Sequence, residues 1–450
     1  MDKKLLSVGL DVGTTSTQLM VSQLQVENRA GAFSVPEMAI TRREIRYTSP
    51  VHFTPLVEES RVDGEKIREL VEEEYKNAGI SRADVDTGAV IITGETSRKK
   101  NAAAVLAALS DYAGEFVVAT AGPDLESVLA ARGAGAVDYS RQTGERVLHM
   151  DIGGGTANLA WIEEGEIVAT DCLNVGGRLI KVGESREIRY ISPVLKGRCS
   201  LSVGERITPK ELEPVAEMLV QALEMAAGLR QPSQLLTDFR SQEVTSVPQY
   251  PQGEATLSFS GGVADCIQGD FAPFAFGDMG PILGKAIRNS LLCRGKYRLG
   301  EQTIRATVIG AGCHSAQLSG STVYWENVGL PIKNLPVVAV DARGDFQKNL
   351  QEKLARQDSK AVVALSGVVG LDYGKIKELG GRLAQIPAPV LVAVEEDMAK
   401  ALGQTIALAQ EMPSCLCIDR VRLREGDYLD VGNPIGPALP VVVKTLIFSH

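Results

Sequence analysis

The chain has 450 residues, of which 44% are hydrophobic, and a mean hydropathy close to zero, which is enough for two or three packed domains. Its net charge of −9 and pI near 5.3 argue against a broad nucleic-acid-binding face, which needs clustered Lys and Arg. No segment stays apolar over the ~20 residues that a membrane helix requires. We therefore expect a cytoplasmic protein that contacts neither nucleic acid nor membrane.

The first predicted element is a β-hairpin near the start of the chain. An apolar strand ends at Asp11, a turn follows, and a second strand covers residues 17–21; the turn residues are Gly13, Thr14, Thr15 and Ser16. Because glycine permits φ > 0 and close approach, such a turn presents N–H groups and hydroxyls toward one point. The pattern is a cradle for phosphate oxygens, and an Asp at the strand end can hold Mg²⁺ directly or through water.

Between the hairpin and residue 120 the apolar spacing alternates between two periods. Residues 64–79 and 102–109 have helical spacing, whereas residues 89–93 and 116–119 are short β-rich runs. This alternation predicts α/β layers.

The chain then repeats itself. Asp151 lies 140 residues after Asp11 and again ends an apolar strand before a turn, here Gly153, Gly154, Gly155 and Thr156. The octapeptide at 44–51 recurs at 187–194 with seven of eight residues identical, and Glu187 lies 143 residues after Glu44. Two matches in the same order and at nearly the same offset predict a duplicated fold whose halves each begin with a hairpin.

A third motif follows a β-run in the second half: Ser260, Gly261, Gly262 and Val263. Glycines there let a nucleoside lie against the backbone. From about residue 335 the chain again alternates, with strands expected at 337–340, 361–365, 390–394 and 416–418 and helices at 346–356 and 397–412. These segments predict a further α/β unit.

Taken together, the motifs at Asp11, Asp151 and Ser260 resemble the phosphate-1, phosphate-2 and adenosine motifs of the actin-like ATPase superfamily. Residues 121–135 resemble its first connecting helix, and residues 308–312 resemble its closing glycine-rich segment. The resemblance covers residues 1–325, and no Walker A loop or Rossmann fingerprint competes with it. It implies duplicated actin/Hsp70-like (ribonuclease H-like) ATPase domains, with domains at 1–145, 146–330 and 331–450.

The resemblance also implies MgATP as the cofactor, with Asp11 and Asp151 at the metal and Gly261 to Val263 beside the adenosine. One departure concerns the residue that positions the attacking water, often Glu or Gln at the start of the first connecting helix. Alignment on Pro123 places Gly122 there, whereas counting back from Gly135 offers Glu126. Glu126 is therefore the candidate, and slow hydrolysis is expected.

Over its whole length, including both octapeptides and the ending at 426–445, the chain resembles the EutA family of ethanolamine ammonia-lyase reactivating factors. The resemblance implies an ATP-dependent, chaperone-like factor that exchanges damaged cobalamin on the adenosylcobalamin-dependent lyase for intact coenzyme. The seven cysteines and four histidines need no metal role in that work. A small-molecule kinase, an Hsp70-like chaperone and a filament-forming ATPase are the alternatives, and oligomeric state and microcompartment association stay open.

Overall fold

The computed structural model describes residues 3–13, 16–28, 38–58, 61–93, 109, 117–120, 123–241, 254–300, 303, 305–310, 317–318, 323–343, 346–354, 360–368, 370, 372–421, 423, 425, 427–434 and 439–445. Thr14, Thr15, Gly122 and most of the helix predicted at 102–109 lie outside these residues. Within the described part, no helix is both long and apolar enough to cross a membrane.

The first half is built on a mixed sheet of order β3-β2-β1-β7-β8, with β4 also paired to β2. Its first three strands are antiparallel, and β7 and β8 run parallel to β1. Its strands are β1 (Lys3–Val12), β2 (Ser16–Asn28), β3 (Met38–Thr48), β4 (His52–Phe53), β7 (Thr87–Ile92) and β8 (Val117–Thr120), and a separate two-stranded sheet is formed by β5 (Leu56–Glu58) and β6 (Arg61–Val62). Helix Gly64–Asn77 begins where Asp63 accepts the Lys66 N–H at 3.1 Å, and it buries Ile67 and Val71.

The second half repeats the same arrangement, with order β11-β10-β9-β14-β15. Here too the first three strands are antiparallel, and the last two are parallel to β9. The strands are β9 (Val147–Ile152), β10 (Ala157–Glu163), β11 (Glu166–Leu173), β14 (Thr256–Ser260) and β15 (Tyr297–Leu299), beside the short pair β12 (Ile180–Val182) and β13 (Ile188–Ile191). Two sheets of identical order confirm the predicted duplicated α/β fold of the actin and Hsp70 type.

The repeated octapeptide does not occupy matching places in the two halves. Its first copy begins at the end of β3 in the sheet of the first half. Its second copy lies in β13, which pairs only with β12 among the described strands. Similar letters specify an extended segment in both places, but the neighbouring strand decides which sheet it joins. The duplication was predicted correctly, although this second match is not part of the repeated sheet.

Helices cover the sheets of the second half and join the two halves. Their bounds are Pro123–Gly133, Ala136–Thr143, Pro209–Ala226, Gln234–Phe239, Gly262–Gln268, Gly280–Arg288 and Ala306–Ile309. Helix Pro123–Gly133 crosses Ala306–Ile309 at two glycines: a Cβ on Gly133 would lie 1.8 Å from the Ala306 carbonyl oxygen, and one on Gly310 would lie 2.1 Å from that of Leu129. Only glycine permits this approach. The crossing fixes the first half against the second, since Met20 packs on Val308 and Ile309.

A third sheet of order β16-β23-β22-β18-β19-β20-β21-β17 forms the C-terminal region. Its strands are β16 (Gln317–Leu318), β17 (Tyr324–Glu326), β18 (Ile332–Asp341), β19 (Val362–Ser366), β20 (Val390–Val394), β21 (Cys415–Ile418), β22 (Asp427–Val431) and β23 (Pro440–Thr445). All four predicted strands and both predicted helices, Phe346–Leu354 and Ala399–Ala409, are present, and helix Tyr373–Leu383 was not predicted. β17 pairs with β21 although it precedes residue 331, and the domain boundaries stay a prediction.

Candidate active site

A cleft of about 500 Å³ opens between the two halves, and both hairpin turns line it. Almost every residue that the sequence singles out lies on its wall: Asp11, Gly13, Ser16, Glu126, Asp151, Gly153, Gly154, Gly155, Thr156, Gly261, Gly262 and Val263. Segments that are up to 250 residues apart in the chain thus meet at one place. Thr14 and Thr15 lie outside the described residues.

The first hairpin closes with a tight turn held by the backbone and by side chains. The Gly13 N–H donates to the Ser16 carbonyl at 2.9 Å, and the Thr54 hydroxyl donates to the Gly13 carbonyl at 2.8 Å. Asp11, which pairs with Gln18 across the strands, accepts the Thr93 hydroxyl at 2.8 Å. The first turn is therefore braced mainly by hydroxyl groups from later segments of the same half.

The second hairpin has the same turn but a different support. The Gly153 N–H donates to the Thr156 carbonyl at 2.9 Å. The carbonyls of Gly153 and Gly154 accept the N–H groups of Gly177 and Arg178 at 3.0 and 2.7 Å. A loop of backbone at 176–178 thus holds the second turn, and a Cβ on Gly176 would lie 2.3 Å from the Gly154 carbonyl oxygen.

The two carboxylates are nearly removed from water, since Asp11 is 9% exposed and Asp151 is 7% exposed. Burial raises the pKa of Asp11 to about 7, against the Thr93 hydrogen bond, and the charge of Asp151 adds to the rise. Burial likewise raises the pKa of Asp151 to about 6, against hydrogen bonds from Ser260 and Thr307. Because burial disfavours the ionised form of both carboxylates, a bound cation would stabilise their negative charge.

Mg²⁺ fits this donor set. In protein sites it takes one or two carboxylates and completes its octahedron with water and substrate phosphate oxygens. The described residues contain no cluster of three or more His, Cys, Asp or Glu side chains that could hold a metal without such help. The cleft can therefore hold Mg²⁺ together with a phosphate-bearing ligand more readily than the metal alone.

Comparison with known proteins places the chain in a family. Residues 3–449 match the model of the ethanolamine utilisation protein EutA. The chain belongs to the EutA family. Two curated relatives, both described as ethanolamine ammonia-lyase reactivase EutA, align over 99% of their own length and of this chain: one from Salmonella typhimurium with 37% identity and one from Escherichia coli K12 with 38%.

Solved structures that resemble the chain cover 68% of it. A member of the Ppx/GppA family from Aquifex aeolicus aligns over 97% of its own length with 16% identity and a TM-score of 0.42. The ethanolamine utilisation protein EutJ from Carboxydothermus hydrogenoformans aligns over 89% of its length with 18% identity and a TM-score of 0.35.

The third motif of this EutA-family chain forms the wall beside the second hairpin. Gly261 has φ of +85°, and a Cβ there would lie 2.3 Å from the Ile152 carbonyl oxygen. Gly262 begins helix Gly262–Gln268, and a Cβ there would meet nothing within 4 Å. Gly261 is thus required by the backbone itself, whereas Gly262 leaves open space on the cleft wall.

Several residues of the cleft were not found from the sequence. Arg178 pairs with Asp278 at 3.2 Å, and its guanidinium lies 5.9 Å from the ring centroid of Phe53, which belongs to the first half. These side chains and Thr93 also line the cleft. Thr93 and Arg178 carried a usable signal, since one follows a β-run before Gly94 and the other follows Gly176-Gly177, whereas nothing local marks Phe53 or Asp278.

Glu126 also lies on the cleft wall, in the first turns of helix Pro123–Gly133. It is half-buried and shares the cleft with Asp11 and Asp151. The helix therefore brings a further carboxylate to the cleft from the connection between the two halves.

Proposed function

We propose that this chain is an ATP-dependent reactivating factor that acts on adenosylcobalamin-dependent ethanolamine ammonia-lyase. The relatives described as ethanolamine ammonia-lyase reactivases align from end to end with it, which supports the target. The observation that carries the nucleotide part is the cleft itself, in which two buried carboxylates on duplicated hairpins face one space between the halves. The small-molecule kinase alternative is not favoured, since these relatives cover the whole chain.

In this proposal each half contributes one hairpin to the same ligand. Asp11 and Asp151 organise Mg²⁺ and its water, and the turns at 13–16 and 153–156 hold the β- and γ-phosphates with backbone N–H groups and hydroxyls. The segment 261–263 leaves room for the adenosine. Bound Mg²⁺ supplies positive charge that stabilises both carboxylates and the phosphate being released.

Glu126 is the carboxylate that positions the attacking water in this scheme. Its place on the cleft wall, on a helix rather than on either hairpin, leaves Asp11 and Asp151 free for the metal. A half-buried carboxylate on the connecting helix in this role is consistent with weak ATPase activity. Slow hydrolysis then determines how long the ATP-bound arrangement of the two halves lasts, and it is not the protein's main reaction.

The fold can convert nucleotide state into lobe movement. Both halves line the cleft, and they also touch through the crossed helices at Gly133 and Gly310 and through Phe53 against Arg178. A ligand that contacts both halves differently before and after hydrolysis shifts the balance between open and closed forms. The affinity for the lyase can follow that balance, and the carbon–cobalt chemistry stays with the lyase.

The test is recovery of activity from ethanolamine ammonia-lyase that has been inactivated with cyanocobalamin. This protein, Mg²⁺, ATP and free adenosylcobalamin are added together, and each is then omitted in turn. We expect recovery only with the complete mixture. Recovery without ATP, or no recovery while the protein still hydrolyses ATP, would overturn the proposed function.

A further inference from the structure

A buried histidine lies directly behind the second hairpin carboxylate. His149 is fully buried on β9, two residues before Asp151, and its Nδ1 and Nε2 atoms lie 3.0 Å from the Ser258 hydroxyl and 2.9 Å from the Ser260 hydroxyl. Ser260 in turn hydrogen-bonds to Asp151 Oδ1. The parallel register pairs His149 with Ser258 and Asp151 with Ser260, so the four side chains form two successive rungs between neighbouring strands.

Donor and acceptor chemistry gives this row of groups a direction. An ionised Asp151 can only accept, so the Ser260 hydroxyl must donate its one proton to it. The Ser260 oxygen is then available to His149 only as an acceptor, which requires a proton on Nε2. The remaining ring nitrogen, Nδ1, is unprotonated and accepts from Ser258. Each group therefore donates a hydrogen bond to the next, in the order Ser258, His149, Ser260 and Asp151.

We propose that His149 is a positioning residue for the cleft carboxylate Asp151, acting through Ser260. This inference rests on the proposed function only in taking Asp151 as a metal-organising group. The neutral imidazole fixes the Ser260 hydroxyl toward Oδ1, and a row of aligned hydrogen bonds strengthens each member. Asp151 is thereby held in one orientation before a ligand arrives.

Among the described residues of the first half there is no equivalent of this row. The residue two positions before Asp11 is Gly9, and Asp11 accepts from Thr93. A Gly at this place carries no side chain that could orient a hydroxyl. The row of hydrogen-bonded side chains is therefore specific to the second hairpin and is not a general requirement of a strand that ends in Asp.

Two variants of His149 distinguish its role in positioning Asp151 from its role in filling space in the core. H149Q retains a carboxamide N–H for Ser260 and a carbonyl oxygen for Ser258, whereas H149L fills similar space without either. Because groups behind a metal ligand typically change metal affinity by 10–100-fold, H149L should weaken the Mg²⁺-dependent part of ATP binding roughly tenfold. H149Q should restore most of it. ATP binding measured in EDTA should be the same in all three proteins.

A second variant tests the direction of the row without removing the imidazole. S260A deletes the acceptor that requires the proton on Nε2, while Ser258 can either donate to Nδ1 or accept from it, so a population with the proton on Nδ1 should form. The chain has only four histidines, and ¹⁵N-histidine labelling of the full protein followed by long-range ¹H–¹⁵N correlation distinguishes the two tautomers. We expect His149 to be wholly Nε2–H in the wild type and mixed in S260A.

The outcomes separate this inference from the proposed function. An Nδ1–H tautomer in the wild type overturns the inference whether or not ATP binds, and so does an H149L protein with unchanged Mg²⁺ dependence. A wild type that binds no MgATP removes the proposed function, while the tautomer measurement still decides the inference. If H149L does not fold, the tautomer measurements on the wild type and on S260A still decide the inference.

Discussion

The two hairpins use the same turn and carboxylate but are supported differently. In the first half, hydroxyl groups of Thr54 and Thr93 reach the turn carbonyl and Asp11. In the second half, backbone N–H groups at 177 and 178 hold the turn, and Asp151 accepts from both Ser260 and Thr307. The sheet order alone therefore places the carboxylate, and each half then stabilises it with whatever segment lies nearby.

This difference makes the second hairpin the more rigid partner. Its turn is hydrogen-bonded to backbone N–H groups, which have no alternative rotamer. Asp151 has two hydroxyl donors, so it retains one if the other is lost. In the described part of the first hairpin, side-chain hydroxyls support the turn carbonyl and Asp11, and such hydroxyls can adopt another rotamer. We infer that ligand-linked adjustment occurs mainly on the first side of the cleft, against a fixed second side.

The largest expected effect follows removal of either carboxylate. D11N and D151N should each lower ATP-dependent lyase reactivation by roughly 100-fold or more, because the metal loses half of its protein ligands. Both variants should remain folded, since a buried carboxylate with a raised pKa is costly to ionise. Reactivation rates measured at saturating ATP and Mg²⁺ check this expectation.

D270N is the matched control, because Asp270 is 88% exposed in its pair with Arg288 and lies off the cleft wall. Its reactivation rate should equal that of the wild type. Full reactivation by D151N would remove the second hairpin from the mechanism.

The next effect contrasts two neighbouring glycines beside the second hairpin. G261A forces a Cβ to within 2.3 Å of the Ile152 carbonyl oxygen at a φ of +85°. It should lower the free energy of unfolding by about 2 kcal/mol or more. G262A meets nothing within 4 Å and should leave stability close to that of the wild type. Urea denaturation compares the two, and equal stabilities would contradict the close approach.

A pH dependence should distinguish the two carboxylates. Asp11 has a pKa of about 7 and must be ionised to serve the metal, so affinity for MgATP should fall roughly tenfold from pH 8 to pH 6 through this group. For the stability of the free protein the effect of pH is opposite, because ionisation of the buried Asp11 destabilises the fold. A raised folded-state pKa contributes stability that is present below about pH 4 and is lost as pH rises through about 7.

The corresponding measurement is the melting temperature of free wild type and free D11N between pH 4 and pH 8. The wild type should lose stability relative to D11N as the pH rises. Parallel curves of melting temperature against pH would show that burial does not disfavour the ionised form of Asp11.

The smallest expected effect compares single hydroxyls. T93V removes the hydroxyl that donates to Asp11 and should weaken Mg²⁺-dependent ATP binding about tenfold. T307V should weaken it less, about threefold, because Ser260 still donates to Asp151. Titration of Mg²⁺ at fixed ATP measures both. A larger loss in T307V than in T93V would reverse the proposed order of rigidity.

Much of this cleft could be predicted from the sequence because its principal groups lie on short local patterns. Strand, Asp and glycine turn occur together in both halves, and apolar β-runs marked the C-terminal strands. Helix Tyr373–Leu383 was missed although Asp372 caps it by accepting the Lys375 N–H at 2.9 Å, since three of its eleven residues are glycines, which have low helix propensity.

What could not be predicted are the contacts made over long distances in the chain. Thr93 reaches Asp11 across 82 residues, and Arg178 reaches Asp278 across 100. The second octapeptide shows the same limit, since its letters specify a strand but not the partner of that strand. Sequence patterns located the two carboxylates and the glycine-rich segments beside them, whereas the long-range contacts of these groups depend on tertiary packing.

The most direct test of the account is calorimetric titration of ATP into the wild type and into a D11N/D151N double variant, each with Mg²⁺ and with EDTA. We predict saturable binding at one site in the wild type that depends on Mg²⁺, and loss of that dependence in the double variant. MgATP binding of equal affinity in both proteins would show that the cleft between the hairpins is not the nucleotide site.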